Sequence, residues 1–210
     1  MNKPPIAGAP KIADAPKITD AIERLRQRAP LVHNITNYVV MNITANALLA
    51  AGASPAMVHA VEEAGEFAGI ASALVINIGT LSPRWVEAME LAAASAVKKG
   101  VPWILDPVAA GATAYRTRTA AALTRLKPAV IRGNASEIMA LAGEAGDAKG
   151  VDSTRASDIA RNAAQHLANV TGAVVAVTGA VDYITDGARM MGIANGDAML
   201  TRVTGTGCSA

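Results

Sequence analysis

The sequence predicts an α/β protein in which a mostly parallel sheet is covered by helices on both faces, and three observations carry that reading. Short β-branched runs alternate with helical stretches of ten or more residues from Leu31 to Val177, the pattern of repeated strand–helix–strand units. Alanine supplies 47 of the 210 residues and aromatics only 3%. The core must therefore be helices set close to a sheet and filled by Ala, Val, Ile, Leu and Met. The chain is 51% hydrophobic with a mean hydropathy of +0.28, ample apolar surface for one sizeable core at this length.

Residues 1–16 carry Pro4, Pro5, Pro10 and Pro16 among Ala, Gly and Lys without a period. They read as a flexible tail ahead of a single folded domain over 17–210. Helix formers between Asp20 and Arg28 set Ile22 and Leu25 on one side. Leu31 to Ile35 reads as a strand, followed by a helix over 38–51 that stops at Gly52. Residues 74–78 form a second, buried strand. Ser82 and Pro83 then supply an N-cap and an N1 proline for a helix running to Gly100. Further strands are expected at 103–106 and 129–132, with a short helix from about Ser136. A helix over 153–170 precedes a strand at 173–177. Beyond Asp182 the strands shorten to 183–185 and 190–194, with Asp186-Gly187 and Asn195-Gly196 as hairpin turns.

Composition also excludes several classes. The scarcity of aromatics argues against base-stacking nucleic-acid modules. Nineteen Lys and Arg against 17 Asp and Glu, a net charge of +2, leave no basic stripe for DNA or a membrane surface. Cys208 is the one cysteine, so no disulfide framework or thiolate zinc site can form within the chain. No apolar run reaches the roughly 18 residues of a membrane span, and the N-terminus lacks a signal-peptide apolar stretch. The expectation is a soluble, cytoplasmic protein with neither nucleic acid nor membrane as partner.

Open parallel sheets bind ligands beyond the carboxyl ends of their strands, which directs attention to Asn34, Asn77, Gly79, Asp106, Arg132 to Asn134, Thr178 and Gly179. Thr204-Gly205-Thr206-Gly207-Cys208 sets two glycines two apart, so successive backbone N–H groups can point one way and form an anion-binding nest. An ordinary glycine-rich turn fits the same residues. Cys208 beyond it is either buried packing or, at a helix N-terminus, an activated thiol. In the second cluster, Gly133 to Glu137, Ser136 can cap the next helix with Glu137 favoured in its first turn. Alternatively Glu137 and Asp106 hold Mg2+ or its waters beside a polyphosphate, with Arg132 neutralising phosphate charge. The third cluster, His33 to Asn37, precedes a helix rich in Asn and Thr and suits either a small polar ligand or tightly hydrogen-bonded turns. Ser54-Pro55-Ala56-Met57 reads as a proline turn followed by Met57, a residue type more often core filler than ligand contact.

Taken in order, seven segments resemble the hydroxyethylthiazole kinases, a thiamine-pathway family of the ribokinase-like superfamily. They are His33-Asn34-Ile35-Thr36-Asn37, Gly52-Ala53-Ser54-Pro55-Ala56-Met57, Asn77-Ile78-Gly79-Thr80-Leu81, Asp106-Pro107-Val108-Ala109-Ala110-Gly111-Ala112, Ile131-Arg132-Gly133-Asn134-Ala135-Ser136-Glu137-Ile138, Ala176-Val177-Thr178-Gly179 and Val203-Thr204-Gly205-Thr206-Gly207-Cys208. The resemblance implies a three-layer α/β/α fold. It implies phosphoryl transfer from ATP, with Mg2+, to the hydroxyl of 4-methyl-5-(2-hydroxyethyl)thiazole. It also implies thiazole-site roles for Met57, Gly205 and Asn34, ATP contacts for Arg132 and Thr178, and organisation of magnesium and phosphates by Asp106 and Glu137. Gly205, Thr206 and Gly207 match the family's anion hole. Cys208 matches the position where most ribokinase-like enzymes carry an aspartate base. A homotrimer with active sites between subunits is implied as well. Phosphoryl transfer needs charge neutralisation and in-line positioning more than a strong base, so a thiol there suffices to polarise a hydroxyl.

The family pattern runs on past Cys208 through a helix behind the anion hole and further helices over the sheet, whereas this sequence ends at Ala210. The expectation is a C-terminally incomplete kinase domain whose competence rests on those later helices. Two alternatives remain open from the sequence: a related vitamin kinase acting on hydroxymethylpyrimidine, and a protein that binds the thiazole without transferring phosphate.

Overall fold

The computed structural model describes residues 15–143 and 153–209. The chain runs α1 (Ala15–Arg28), β1 (Leu31–Ile35), α2 (Met41–Ala51), β2 (Ser54–Met57), α3 (Val61–Ala68), β3 (Ala73–Asn77), α4 (Pro83–Lys99), β4 (Trp103–Asp106) and α5 (Ala114–Thr124). It continues through β5 (Val130–Asn134), α6 (Ala135–Leu141), α7 (Ser153–Thr171), β6 (Val174–Thr178), β7 (Asp182–Thr185) and β8 (Met190–Ile193) to a 3-10 turn at Ala198–Arg202. All eight strands form one sheet in the order β2-β1-β3-β4-β5-β6-β7-β8. Strands β1 to β6 are parallel, and β7 and β8 add an antiparallel meander.

That order fixes the layers. The chain steps one way from β1 to β2 and the other way from β2 through β3 to β6. Because parallel crossovers are right-handed, α2 is carried to one face and α3 to α7 to the other. Packing agrees: α3 lies on α4, α4 on α5, α5 on α6 and α6 on α7, while α1 lies on α2. The direction reverses between β1 and β3, so their carboxyl ends flank the topological switch point where such sheets bind ligands.

Helix α4 shows how local sequence sets an element. The Ser82 hydroxyl accepts from Trp85 N at 3.3 Å, Pro83 opens the helix, Lys98 and Lys99 sit in its last turn, and Gly100 closes it at φ +70°. Each feature satisfies orphan backbone groups or the helix dipole. Ala88, Ala92, Ala93 and Ala96 are fully buried, and their small side chains let α4 lie close to the sheet and to α3. Leu74, Ile76, Leu105, Ile131 and Val175 fill the core from the strands.

Several expectations are corrected. Ser54–Met57 is strand β2, not a proline turn; it lies at the sheet edge, where a residue lacking an N–H is tolerated. Helices α3 and α5 were not expected. The first is eight residues long with Gly65 inside it, and the second buries only Thr119, Ala120 and Leu123 from a polar sequence. Helix α2 begins at Met41, not Tyr38, and α1 already includes Ala15 and Pro16; the rest of the expected tail lies outside the described residues. The cap of α6 is Asn134, not Ser136. The Asp186-Gly187 turn joins β7 to β8 as expected, with the Asp186 carboxylate accepting from Ala188 N and Arg189 N. Asn195-Gly196 leads instead into the 3-10 turn, with no returning strand among the described residues.

Candidate active site

Four buried or half-buried side chains from separate segments are joined at the switch point. Asn37 follows β1, Asn77 ends β3, Asp106 ends β4, and Cys208 comes from the 204–209 segment. Asn77 Nδ2 donates to Asp106 Oδ2 at 2.7 Å, Asn37 Nδ2 donates to Asn77 Oδ1 at 2.9 Å, and the same Nδ2 lies 3.7 Å from Cys208 Sγ. Gly79 permits this approach: a Cβ there would stand 2.5 Å from Asn37 Nδ2 and 2.7 Å from its Cγ. Thr44 Oγ1 and Ser209 Oγ, 3.2 Å apart, tie the residue after Cys208 to α2.

Burial pushes the Asp106 carboxyl up to about 7; the Arg132 charge opposes this, Glu137 adds to it, and the Asn77 hydrogen bond opposes it. Glu137 is buried and engaged on both oxygens, accepting from Ala109 N and Asn134 N at 2.8 Å each. With Asn134 Oδ1 accepting from Glu137 N it forms a capping box, which satisfies two orphan donors reciprocally. The Arg132 guanidinium donates to the Gly207 carbonyl at 2.5 Å, tying β5 to the glycine-rich segment.

A second group of polar atoms lies at the end of β1. Asn34 pairs in register with Met57 of β2, which brings those two expected residues side by side. Asn34 is 1% exposed and donates to Val32 O at 2.9 Å, while its Oδ1, the Thr36 hydroxyl and His33 Nδ1 find no partner among the described residues. Burial lowers the His33 pKa against the opposing bond to Val58 O and the Glu63 charge. Gly205 takes φ +90° and sits against Val40 and Ile43, where a Cβ would meet Ile43 Cγ2 at 2.9 Å. Cys208 does not open a helix among the described residues; Gly205 to Ser209 form a turn closed by Ser209 N to Gly205 O at 2.9 Å. Thr206 Oγ1 donates back to Leu200 O and Val203 O, while the space beside Gly207 is open. Thr178 lines a cavity of about 170 Å³ with Ala135, Ala160, Val177 and Tyr183; Arg132 does not line it.

One polar residue escaped the sequence reading altogether. Arg116 Nη1 donates to Ile78 O at 2.6 Å and Val108 O at 3.1 Å, and its Nη2 to Gly79 O at 2.8 Å. It thereby clamps the loops after β3 and β4 that carry Asn77 and Asp106. Nothing local distinguishes it from its helix neighbour Arg118, which is exposed.

A mostly parallel sheet in this order, with Asn37, Asn77 and Asp106 joined beyond the carboxyl ends of β1, β3 and β4, is the ribokinase-like α/β architecture. The same architecture appears in the Bacillus subtilis pyridoxal kinase solved with ADP, at TM-score 0.61 and 17% identity over 85% of this chain and 79% of that one. Within that class, the model of the hydroxyethylthiazole kinase family matches residues 22–210. A hydroxyethylthiazole kinase of Cereibacter sphaeroides is 61% identical over 90% of this chain and 72% of its own length. One from Rhizobium etli is 57% identical over 90% and 73%. The solved hydroxyethylthiazole kinase protein of Pyrococcus horikoshii OT3 superposes at TM-score 0.84 with 48% identity, covering 92% of this chain and 73% of that one. The chain belongs to the hydroxyethylthiazole kinase family.

Proposed function

We propose that the protein transfers the γ-phosphoryl group of ATP to the hydroxyl of 4-methyl-5-(2-hydroxyethyl)thiazole. The observation that carries the reading is the unbroken line from Cys208 through Asn37 and Asn77 to Asp106, which joins a proton acceptor to a phosphate-side carboxylate at the switch point. Cys208 takes the proton of the hydroxyl as its oxygen attacks phosphorus. The amides of Gly205, Thr206 and Gly207 receive the transferring oxygens, and Arg132 neutralises phosphate charge. The cavity beside Thr178 receives the nucleoside end of ATP. Asn34 lines the thiazole pocket with Met57 packed on the ring, and the Thr36 hydroxyl, unpartnered among the described residues, can donate to the ring nitrogen.

Asp106 and Glu137 suit a magnesium ion carried in with the nucleotide. Mg2+ is ordinarily held by one or two carboxylates together with phosphates and waters. No group of three or more His, Cys, Asp or Glu gathers to cage an ion among the described residues. A carboxylate as desolvated as Asp106 favours a cation beside it, and Glu137, with an N–H on each oxygen, keeps its outer lone pairs for metal-bound water. When bound, the ion neutralises β- and γ-phosphate charge. Glu137→Gln is expected to lower kcat roughly 10- to 100-fold while costing about 1–2 kcal/mol through the lost N–H acceptor. Parental turnover in a folded variant would assign Glu137 to capping alone.

A release assay for ADP, run with the thiazole alcohol and with hydroxymethylpyrimidine in competition, tests the substrate. Thiazole phosphate as the dominant product supports the reading, and preferential phosphorylation of the pyrimidine sinks it. Met57→Ala should raise the thiazole KM and leave that for ATP unchanged, since a thioether–ring contact contributes about 0.3–1.5 kcal/mol. A parallel rise of both constants would make Met57 a folding residue.

A homotrimer fits the exposed apolar side chains of this region: Tyr38 and Val39 are 65% and 64% exposed, and Ile43 and Leu49 of α2 are exposed as well. The cytoplasm fits a reaction that consumes ATP and needs Cys208 reduced. No helix of the described residues is long and apolar enough to cross a membrane.

A further inference from the structure

We propose that Asn77 is a positioning residue for the base: it holds the Asn37 carboxamide so that an N–H, and not the carbonyl, faces Cys208 Sγ. The proposal rests on the kinase reading for the reaction served, while the orientation stands on the hydrogen bonds themselves.

The polarity of the two amides is forced by their neighbours. Asn37 Oδ1 accepts from Val39 N at 3.1 Å, which leaves Nδ2 for the opposite side, where it meets Asn77 Oδ1 and Cys208 Sγ. Asn77 Oδ1 accepts a second bond, from Gly79 N at 2.9 Å, and its Nδ2 donates to Asp106 Oδ2. A flipped Asn77 would set its N–H groups against two donors, Asn37 Nδ2 and Gly79 N. Those donors therefore select one arrangement. Asn37 and Asn77 are 3% and 1% exposed, and hydrogen bonds in such surroundings are stronger than in water.

The chemical consequence falls on sulfur. With both hydrogens of Asn37 Nδ2 directed at acceptors, Sγ is placed as an acceptor on that side, and a thiolate accepts such a bond more strongly than a thiol does. Gly79 N selects the Asn77 orientation, Asn77 selects that of Asn37, and Asn37 presents its donor to the base. Asn77 touches neither substrate nor sulfur and acts only through Asn37.

Cys208 is the one cysteine of the chain, so alkylation by iodoacetamide followed by intact mass reports on it alone. The rate is measured against pH for the parent protein and for Asn77→Leu, which keeps side-chain volume and removes both amide functions, with a thermal melt alongside. The expected result is a displacement of the variant's profile to higher pH by about one unit, the size of one hydrogen bond to a charged group. The limb of the kcat profile that reports the base should move with it. A profile superimposable on the parent's overturns the proposal. If Asn77→Leu does not fold, Asn77→Ala carries the same test, since it also removes both amide functions and adds no charge. Its profile must also move to higher pH, and an unmoved one overturns the proposal. Alkylation needs neither ATP nor thiazole. The kinase reading is decided by ADP release and this orientation by the sulfur, and either can fail alone.

Discussion

Cys208→Ala is expected to lower kcat by about 10²–10⁴-fold, the usual loss for a general base, with a melt within about 0.5 kcal/mol of the parent. The side chain is half-buried and its one polar contact among the described residues is the 3.7 Å approach of Asn37 Nδ2, so its removal leaves the core intact. Cys208→Asp should retain or raise turnover. A carboxylate is ionised at neutral pH, where an ordinary thiol is largely protonated, and the donor already aimed at sulfur suits a carboxylate oxygen equally well. Steady-state kinetics of the two variants beside the parent decide the matter. An alanine variant turning over at the parental rate would reduce the thiol to packing, and catalysis would then rest on phosphate positioning alone.

The central sheet was legible because its inner strands read as short, nearly continuous apolar runs, as at Leu74 to Ile78 and Val174 to Val177. The edge strand β2 was hidden by Pro55, whose missing N–H is harmless only at an edge, a position that a single sequence does not reveal. Helix α5 was hidden because Thr119, Ala120 and Leu123 make too narrow a buried stripe for periodicity to register. In the site, position along the fold was legible and connection was not. Asn34, Asp106 and Thr178 stand at carboxyl ends of strands, where βαβ logic puts ligand-facing residues. Asn37 reaches Cys208 across 171 positions of sequence, and no local period encodes a bond that long. The tight fit of Gly79 on Asn37 left only a glycine after a strand as its trace.

Asp106→Asn is expected to make the protein more stable and less active at once. Burial lifts the folded carboxyl to about 7 against the usual 3.8, more than Arg132 and the Asn77 bond pull it down. Between those two values the folded protein holds a proton that the unfolded chain has released. The stability tied to that proton is complete below about pH 4 and is lost as pH rises to about 7. At roughly 1.4 kcal/mol per pH unit, the loss reaches about 4 kcal/mol at most in buffer free of metal and nucleotide. Asparagine keeps an oxygen for Asn77 Nδ2 and never ionises, so the variant's melt should exceed the parent's at pH 8 and lack this fall between pH 4 and 7. Turnover should drop by on the order of 10²-fold or more, because the charge that is costly in the empty site is the charge that organises phosphates and magnesium in the loaded one. Melts across pH in parallel with ADP release separate the two effects. A melt that falls with pH as the parent's does would place that titration on another group, and parental turnover would remove Asp106 from the phosphate side of the site.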